Sequence, residues 1–405
     1  MGRRAATRRE VVLLGRGILI VRTHIRAALA GAVLATTLTV AAAAAGSTTA
    51  QKRIAAPDPS RLGAIGPRFH DAVLSGPVRT LASAGARFSD FWGGPITAAN
   101  GETLTIYVSN VYAQDDTMRQ NWADFLVRLY HGSELDDVTI ILAPLTQIQT
   151  ICGPEAGGCF APSAGALVAP AEDLPDGTSK ETVVVHELGH NVAAHRDDAP
   201  WDALDWGAKH WASYENVCAR QVAGTAFPGD EADHYFLNPG EGFAETYRLL
   251  NFQLLGLTSS IFVVDQSFFP DQGALDALKA DVLTPWIAGA TSTWASRFVV
   301  PAPRKPPAIK RPVKKRTAKP KPRSANAYTP PALLDTIQTP LDGTLTVTLT
   351  KAPAGTRLGL EDATGTQLVA PTAGPLTFTV CGQRTVTLVA TGTAGGPVSV
   401  SIDEP

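Results

Sequence analysis

The stretch that decides the fold is residues 176–190, which read Asp-Gly-Thr-Ser-Lys-Glu-Thr-Val-Val-Val-His-Glu-Leu-Gly-His. Thr178, with Glu181 three residues later, has the form of a capping box, so we expect a helix to begin there. Pro200 prevents that helix from continuing past it. The sequence therefore predicts one helix that carries both histidines of the motif.

This motif places two imidazoles and a carboxylate where they can act on one metal ion. His186 and His190 are four residues apart, so they lie one turn above each other on the same helical face. Both rings can then bind a single zinc ion, while Glu187 reaches its bound water as a general base. The alternative interpretation is an ordinary helix with polar surface residues.

A catalytic zinc site needs a third protein ligand. His195 follows His186 by nine residues, whereas the metzincin pattern requires ten, and Arg196 occupies that position. We therefore expect His195 and also His210 to be helix-end or packing residues.

Residues 238–248 predict a second helix, with the sequence Asn-Pro-Gly-Glu-Gly-Phe-Ala-Glu-Thr-Tyr-Arg. Asn238 suits the cap and Pro239 suits the first helical position. Glu241 and Glu245 share a face, so one can bind the metal while the other accepts a hydrogen bond from a ligand histidine. Alternatively, Glu241 completes a capping box with Asn238.

His-Glu-Leu-Gly-His at 186–190, followed by Pro-x-Glu-x-Phe-Ala-Glu at 239–245, resembles the gluzincin metallopeptidases, especially the branch that looks like the anthrax lethal factor catalytic domain. The stretch 103–250 is similar to secreted zinc metallopeptidases of actinobacteria. The resemblance implies a zincin-like α+β domain in which Glu241 is the third zinc ligand. It also implies that Glu245 does not bind the metal but accepts a hydrogen bond from a ligand histidine.

The resemblance also implies a tyrosine shortly before the ligand Glu that acts on the developing oxyanion. In this chain the expected position holds His234, and the tyrosine is its neighbour Tyr235. Both are therefore candidate catalytic residues.

The four cysteines are disulfide candidates if the chain is exported. The loop between Cys152 and Cys159 is rich in Gly and Pro, so it can bring the two residues within bridging distance. Cys218 and Cys381 either form a second bridge or are buried thiols.

The N-terminal region favours export. An Ala-rich apolar stretch at 27–45 follows three basic or His residues and precedes small residues that end at Ala50. It is a signal peptide or, if uncleaved, a membrane anchor. No comparable apolar run lies beyond residue 50, so we expect no other membrane contact. The protein is predicted to be secreted or associated with the cell surface.

Charge is distributed unevenly along the chain. Residues 51–300 contain 15 Lys and Arg against 30 Asp and Glu, which argues against binding of nucleic acid. Residues 301–330 contain ten Lys and Arg and no acid. Within them, the basic run 304–323 either binds anionic cell-wall polymers or is a soluble spacer.

These patterns predict an α+β metallopeptidase domain, a basic Pro-rich linker and a small all-β sandwich that folds independently. The predicted segments are 1–50 (signal or anchor), 51–100 (extended lead-in), 101–300 (metallopeptidase), 301–330 (linker) and 331–405 (sandwich). Predicted strands are 103–108, 138–143, 165–169, 343–350, 376–380, 386–389 and 398–402, with an amphipathic helix over 115–131.

The function that the sequence predicts is a secreted zinc-dependent endopeptidase that acts on peptide or protein substrates. Residues 165–169 are expected to form the edge strand that aligns the peptide. Two alternatives stay open at this point. One is a non-catalytic cell-surface binding protein on the same scaffold, and the other is a zinc amidase that acts on cell-wall peptides.

Overall fold

The computed structural model describes residues 70–74, 88–258, 264–300 and 331–405. The predicted signal or anchor and the basic linker lie outside these residues. Within the described ranges, no helix is long and apolar enough to cross a bilayer.

The first part of the fold is a mixed α/β region built on a five-stranded sheet with the order β1-β2-β3-β5-β4. Its strands are β1 Phe91–Thr97, β2 Thr103–Ser109, β3 Thr139–Ala143, β4 Cys159–Ala161 and β5 Ala166–Pro170. The strands β2, β3 and β5 are parallel, whereas β1 and β4 pair antiparallel at the two edges. The predicted strands 103–108, 138–143 and 165–169 are thus confirmed as β2, β3 and β5.

Strand β1 contradicts the expectation of an extended lead-in over 51–100. Gly93, Gly94 and Pro95 interrupt its apolar pattern, so the sequence does not indicate a strand there. Pro95 is tolerated because β1 is an edge strand. Gly93 has φ +126°, and a Cβ there would lie 2.4 Å from the Ile106 carbonyl oxygen, so the close approach of β1 to β2 requires glycine.

Nine helices accompany the sheet in the described part of the chain. They are α1 Asp116–Leu126, α2 Glu134–Asp137, α3 Leu145–Cys152, α4 Lys180–Ala194, α5 Ala203–Trp206, α6 Lys209–Tyr214, α7 Val217–Val222, α8 Pro239–Leu255 and α9 Gln272–Leu283. Helix α1 is shorter than the predicted 115–131. Helix α4 packs against β5 on one side and against α8 on another, so it lies at the centre of this region.

Helix α4 begins one residue later than the capping-box pattern indicates. Ser179 is the cap, and its side chain accepts a hydrogen bond from the Thr182 amide at 3.2 Å. The helix ends at Ala194, before Pro200, with His195 as the C-terminal cap. Every residue from Thr182 to Ala193 is buried, which is consistent with a helix that is packed on all sides.

Helix α8 has the predicted start. The Asn238 side chain accepts from the Gly240 amide, and Pro239 is the first helical residue. Gly256, in the left-handed conformation, ends the helix. Helices α4 and α8 approach very closely, because a Cβ on Gly189 would lie only 2.7 Å from the Cα of Ala244.

The C-terminal part is a β domain of two antiparallel four-stranded sheets, with the orders β10-β9-β12-β7 and β11-β8-β13-β6. Its strands are β6 Thr291–Phe298, β7 Leu333–Gln338, β8 Gly343–Lys351, β9 Arg357–Asp362, β10 Gln367–Thr372, β11 Leu376–Val380, β12 Thr385–Thr391 and β13 Gly396–Asp403. Apolar side chains from both sheets share one core. The predicted strands 343–350, 376–380, 386–389 and 398–402 are confirmed as β8, β11, β12 and β13.

Strand β6 corrects the boundary at residue 300. It precedes the linker, yet it pairs along its whole length with β13. Most of its side chains are exposed, and Phe298 is its one fully buried residue, so its sequence carries little hydrophobic alternation. The β domain is therefore assembled from both sides of the linker.

The two parts are also joined directly, contrary to the expectation of independent folding. A disulfide links Cys218 in α7 to Cys381 after β11. The Asp342 amide donates to the Ser213 hydroxyl at 2.9 Å, and the Arg384 guanidinium donates to the Ser213 carbonyl at 2.6 Å. These contacts fix the β domain to helices α6 and α7.

The Cys218–Cys381 bridge should contribute strongly to stability, because the two residues are 163 positions apart. Replacing both by Ser should lower the free energy of unfolding by about 3–5 kcal/mol, measured by guanidinium denaturation. The matched control is Cys152→Ser with Cys159→Ser, which opens a loop of sequence separation 7. Its loss should be about 2–3 kcal/mol smaller. Equal losses would show that chain entropy is not the main contribution.

Candidate metal centre

Helices α4 and α8 bring two histidines and a glutamate to one buried point. The His186 and His190 rings lie 5.1 Å apart, measured between their centroids. His186 Nε2 lies 3.1 Å from Glu241 Oε2, and His190 Nε2 lies 3.5 Å from Glu241 Oε1. Glu241 therefore faces the histidines and does not complete a capping box with Asn238.

Asp71 is a fourth member that the sequence analysis missed. Its Oδ2 lies 3.1 Å from His190 Nε2 and 3.4 Å from His186 Nε2. One ligand atom from each of Asp71, His186, His190 and Glu241 can be chosen so that all lie within 4.8 Å of one another, and all four residues are buried. These four residues form a group that can hold a metal ion.

The spacing of the donor atoms fits a metal ion. An ion with four tetrahedral bonds of about 2.1 Å separates its ligand atoms by about 3.4 Å. The closest approaches between the imidazole nitrogens and the carboxylate oxygens here are 3.1 to 3.5 Å. Two imidazoles and two carboxylates are also ligand types that zinc accepts.

The electrostatics of the cluster require a positive charge. Burial opposes protonation of His190, yet the Glu241 and Asp71 carboxylates raise its pKa to about 10. The pKa of His186 is likewise raised well above its usual range, against the effect of burial, chiefly by Asp71. Two buried carboxylates thus have to be balanced by protons on the histidines or by a bound cation.

Glu245 and Arg248 orient His186 from the Nδ1 side of its ring, opposite the cluster. His186 Nδ1 lies 3.3 Å from Glu245 Oε2, and the Arg248 guanidinium donates to both oxygens of that carboxylate. Burial opposes ionisation of Glu245, but Arg248 lowers its pKa below the usual value. A charged Glu245 accepts a hydrogen bond from His186 Nδ1, which directs His186 Nε2 toward Asp71 and Glu241.

Glu187 lies beside the cluster, fully buried. Neither of its carboxylate oxygens has a hydrogen-bond partner among the described residues. Burial first, and then the nearby Asp71 carboxylate, raise the pKa of Glu187 well above its usual range. A Cβ on Gly158 would lie 2.5 Å from Glu187 Oε1, so the carboxylate touches the backbone immediately before strand β4.

The two candidates for the oxyanion role occupy different places. The buried Tyr235 hydroxyl donates to Asp71 Oδ1 and therefore belongs to the cluster. The side chain of His234 is 43% exposed and bonds Asp230 at 2.7 Å. Its ring also stacks on Phe227, with the centroids 3.7 Å apart. The structure thus brings Tyr235 to the site and leaves His234 outside it.

The remaining histidines have structural partners, as expected. His195 Nδ1 lies 2.8 Å from the Asn191 carbonyl oxygen at the end of α4. His210 Nδ1 lies 2.7 Å from Asp281 Oδ1 in helix α9. Neither belongs to the group that can hold a metal.

The predicted bridge between Cys152 and Cys159 is present. It joins the end of α3 to the start of β4, so it fixes the loop that carries Gly158. The structure corrects the predicted edge strand, because β5 lies between β3 and β4 and is an internal strand. The edge beside the cluster is β4.

We expect the folded protein to bind one divalent metal ion per chain. His186→Ala should lose nearly all of it, because the remaining carboxylates and one imidazole hold the ion weakly. His195→Ala, at the C-terminal cap of the same helix, is the matched control and should keep full stoichiometry. Elemental analysis of the dialysed proteins measures both. Equal metal content in the two variants would contradict this assignment.

A comparison of the chain with protein-family models finds no match, and neither does a comparison with curated proteins. A functional assignment for this chain therefore has to come from the geometry and chemistry of its site.

Proposed function

We propose that this protein is an exported zinc-dependent endopeptidase, with zinc held by His186, His190 and Glu241. The observation that carries the proposal is the position of Glu187. It is a buried carboxylate without a hydrogen-bond partner in the described residues, placed between a cluster able to hold a metal and the edge strand of a sheet. Burying such a group is unfavourable, so its retention favours a catalytic role.

Zinc held at such a site lowers the pKa of water and polarises a substrate carbonyl. Glu187 is the group placed to take the proton of the attacking water, and it can later deliver that proton to the departing amine. Glu245 and Arg248 keep the His186 ring in one orientation during these steps.

Tyr235 is suited to donate a hydrogen bond to the developing oxyanion. Burial, and then Asp71, raise its pKa well above the usual range, so the hydroxyl stays protonated at neutral pH. A preorganised donor of this kind stabilises charge that appears only in the transition state. His234, outside the cluster, has no such role in this proposal.

Strand β4 is suited to align a peptide substrate. It is the edge strand nearest to Glu187, and an extended peptide can add to such an edge through backbone hydrogen bonds. Such bonds do not depend on side chains, so this edge favours peptide or protein substrates of varied sequence. The two disulfides are consistent with a protein exported to an oxidising compartment.

The role of Glu187 can be tested with Glu187→Gln, which keeps the shape of the side chain but cannot accept the proton. We expect hydrolysis of fluorescent casein to fall by about 10²–10⁴-fold while zinc content is unchanged. Glu181→Gln is the matched control on helix α4, because that side chain pairs with Lys180 away from the cluster. It should retain full activity.

Undiminished hydrolysis by Glu187→Gln would show that this site is not the source of activity. A parallel incubation with peptidoglycan separates the two hydrolytic alternatives. Release of cell-wall peptides without casein cleavage would identify an amidase instead.

A further inference from the structure

Residues 70–74, which we call the covering segment, lie along β4 and form a parallel bridge with it between Val73 and Phe160. The Leu74 amide donates to the Phe160 carbonyl at 2.9 Å, and the Phe160 amide donates to the Ala72 carbonyl at 3.1 Å. The first residue of the segment accepts from the Gly157 amide at 2.7 Å. The edge that would align a substrate is therefore already paired with a part of this chain.

The covering segment also inserts a side chain into the metal cluster. Asp71 reaches both ligand histidines, with its Oδ2 3.1 Å from His190 Nε2 and 3.4 Å from His186 Nε2. Its other oxygen accepts from the Tyr235 hydroxyl. One residue thus engages the ligand histidines and the candidate oxyanion donor at the same time.

This arrangement conflicts with catalysis as it stands. Catalytic zinc sites have three protein ligands and keep one position open for water or substrate, whereas sites with four protein ligands are structural. His186, His190 and Glu241 already supply the three, and Asp71 makes four. The conflict disappears if Asp71 is a removable ligand.

The attachment of the covering segment is consistent with removal. Asp71 is its one buried residue, while the residues on either side are exposed or half-buried. Ala72 and Leu74 only border a small core cluster. The Val73 amide makes a long contact of 3.5 Å to Glu231. Displacing the segment would uncover little apolar surface, so its cost lies in the loss of Asp71 from the cluster and of three backbone hydrogen bonds to residues 157–160.

We propose that the covering segment is an intramolecular inhibitor, which occupies the peptide-binding edge while Asp71 blocks the open ligand position. The group that faces the cluster is a carboxylate side chain and not a peptide carbonyl, so the segment can occupy the site without being positioned for cleavage. The inference rests on the proposed function. It implies that the structure shows the form of the protein in which the site is covered. Displacement of the segment would free β4, Tyr235 and the fourth ligand position together.

The test measures access to the metal and not activity. The full-length protein is loaded with cobalt in place of zinc and titrated with acetohydroxamate, a small chelating ligand whose binding changes the visible cobalt spectrum. We expect Asp71→Ala to retain one metal ion per chain. It should bind acetohydroxamate at least tenfold more tightly than the wild-type protein. Asp136→Ala, an exposed aspartate on helix α2, is the control and should match the wild type.

A second variant tests the segment without altering the cluster. Leu74→Pro removes the amide that donates to Phe160 and should also increase hydroxamate affinity. A synthetic peptide of residues 68–76 should compete with acetohydroxamate for Asp71→Ala protein. The same peptide with Asn in place of Asp71 should compete at least tenfold more weakly.

Two results would overturn the inference. The first is wild-type protein that binds acetohydroxamate as tightly as Asp71→Ala and Leu74→Pro do. The second is a folded Asp71→Ala protein that has lost its metal, which would make Asp71 a permanent structural ligand.

Failure of the proposed function has a different signature. In that case Asp71→Ala protein would bind the hydroxamate tightly and yet cleave no casein. Covering of the site would then still be supported. If the inference holds, the comparison of Glu187→Gln with its control is best made in the Asp71→Ala background, where the site is open.

Discussion

The close contact between helices α4 and α8 is the constraint on which the site depends. Gly189 lies between the two ligand histidines, and no side chain fits there, because a Cβ would be 2.7 Å from the Cα of Ala244. This approach allows Glu241 to reach both imidazoles. It also places Glu245, one turn further along α8, against the opposite nitrogen of His186. A larger residue at 189 would separate the helices and remove both contacts.

The packing of α4 against α8 buries several carboxylates, which therefore need hydrogen-bond partners or positive charges nearby. Asp71, Glu241 and Glu245 each have a hydrogen-bond partner in the cluster, whereas Glu187 has none among the described residues. Arg248 balances Glu245, and the histidines together with Tyr235 balance Asp71. Glu187 stays without a partner in the described residues and contacts the backbone before β4. A site that only stabilised the fold would have little reason to keep this carboxylate, whereas a hydrolytic site requires it.

The parts of this site that the sequence predicts are those encoded by local spacing. The i to i+4 placement of His186 and His190, and the cap and first residue of α8, depend on neighbours in the chain, so they can be read directly. Asp71 cannot be predicted in this way, because it lies 119 residues before His190, outside any motif, and reaches the cluster only through the fold.

The strands that escape prediction share a physical reason. Strand β1 carries two glycines and a proline, and β6 exposes most of its side chains, so neither shows the alternation that marks a half-buried strand. Both are edge strands, whose backbone pairing depends on a neighbour far away in the sequence. The same holds for the edge beside the site. Local pattern identifies β5 as a strand, but only the sheet order shows that β4 is the strand at the edge.

We propose that two histidines and carboxylate oxygens hold a zinc ion at the contact of α4 and α8. X-ray absorption at the zinc edge of the purified, zinc-loaded protein tests this most directly. We expect two imidazole nitrogens and oxygen ligands at about 2.0–2.2 Å, with no sulfur. A first coordination sphere that contains sulfur, or one without imidazole, would contradict it.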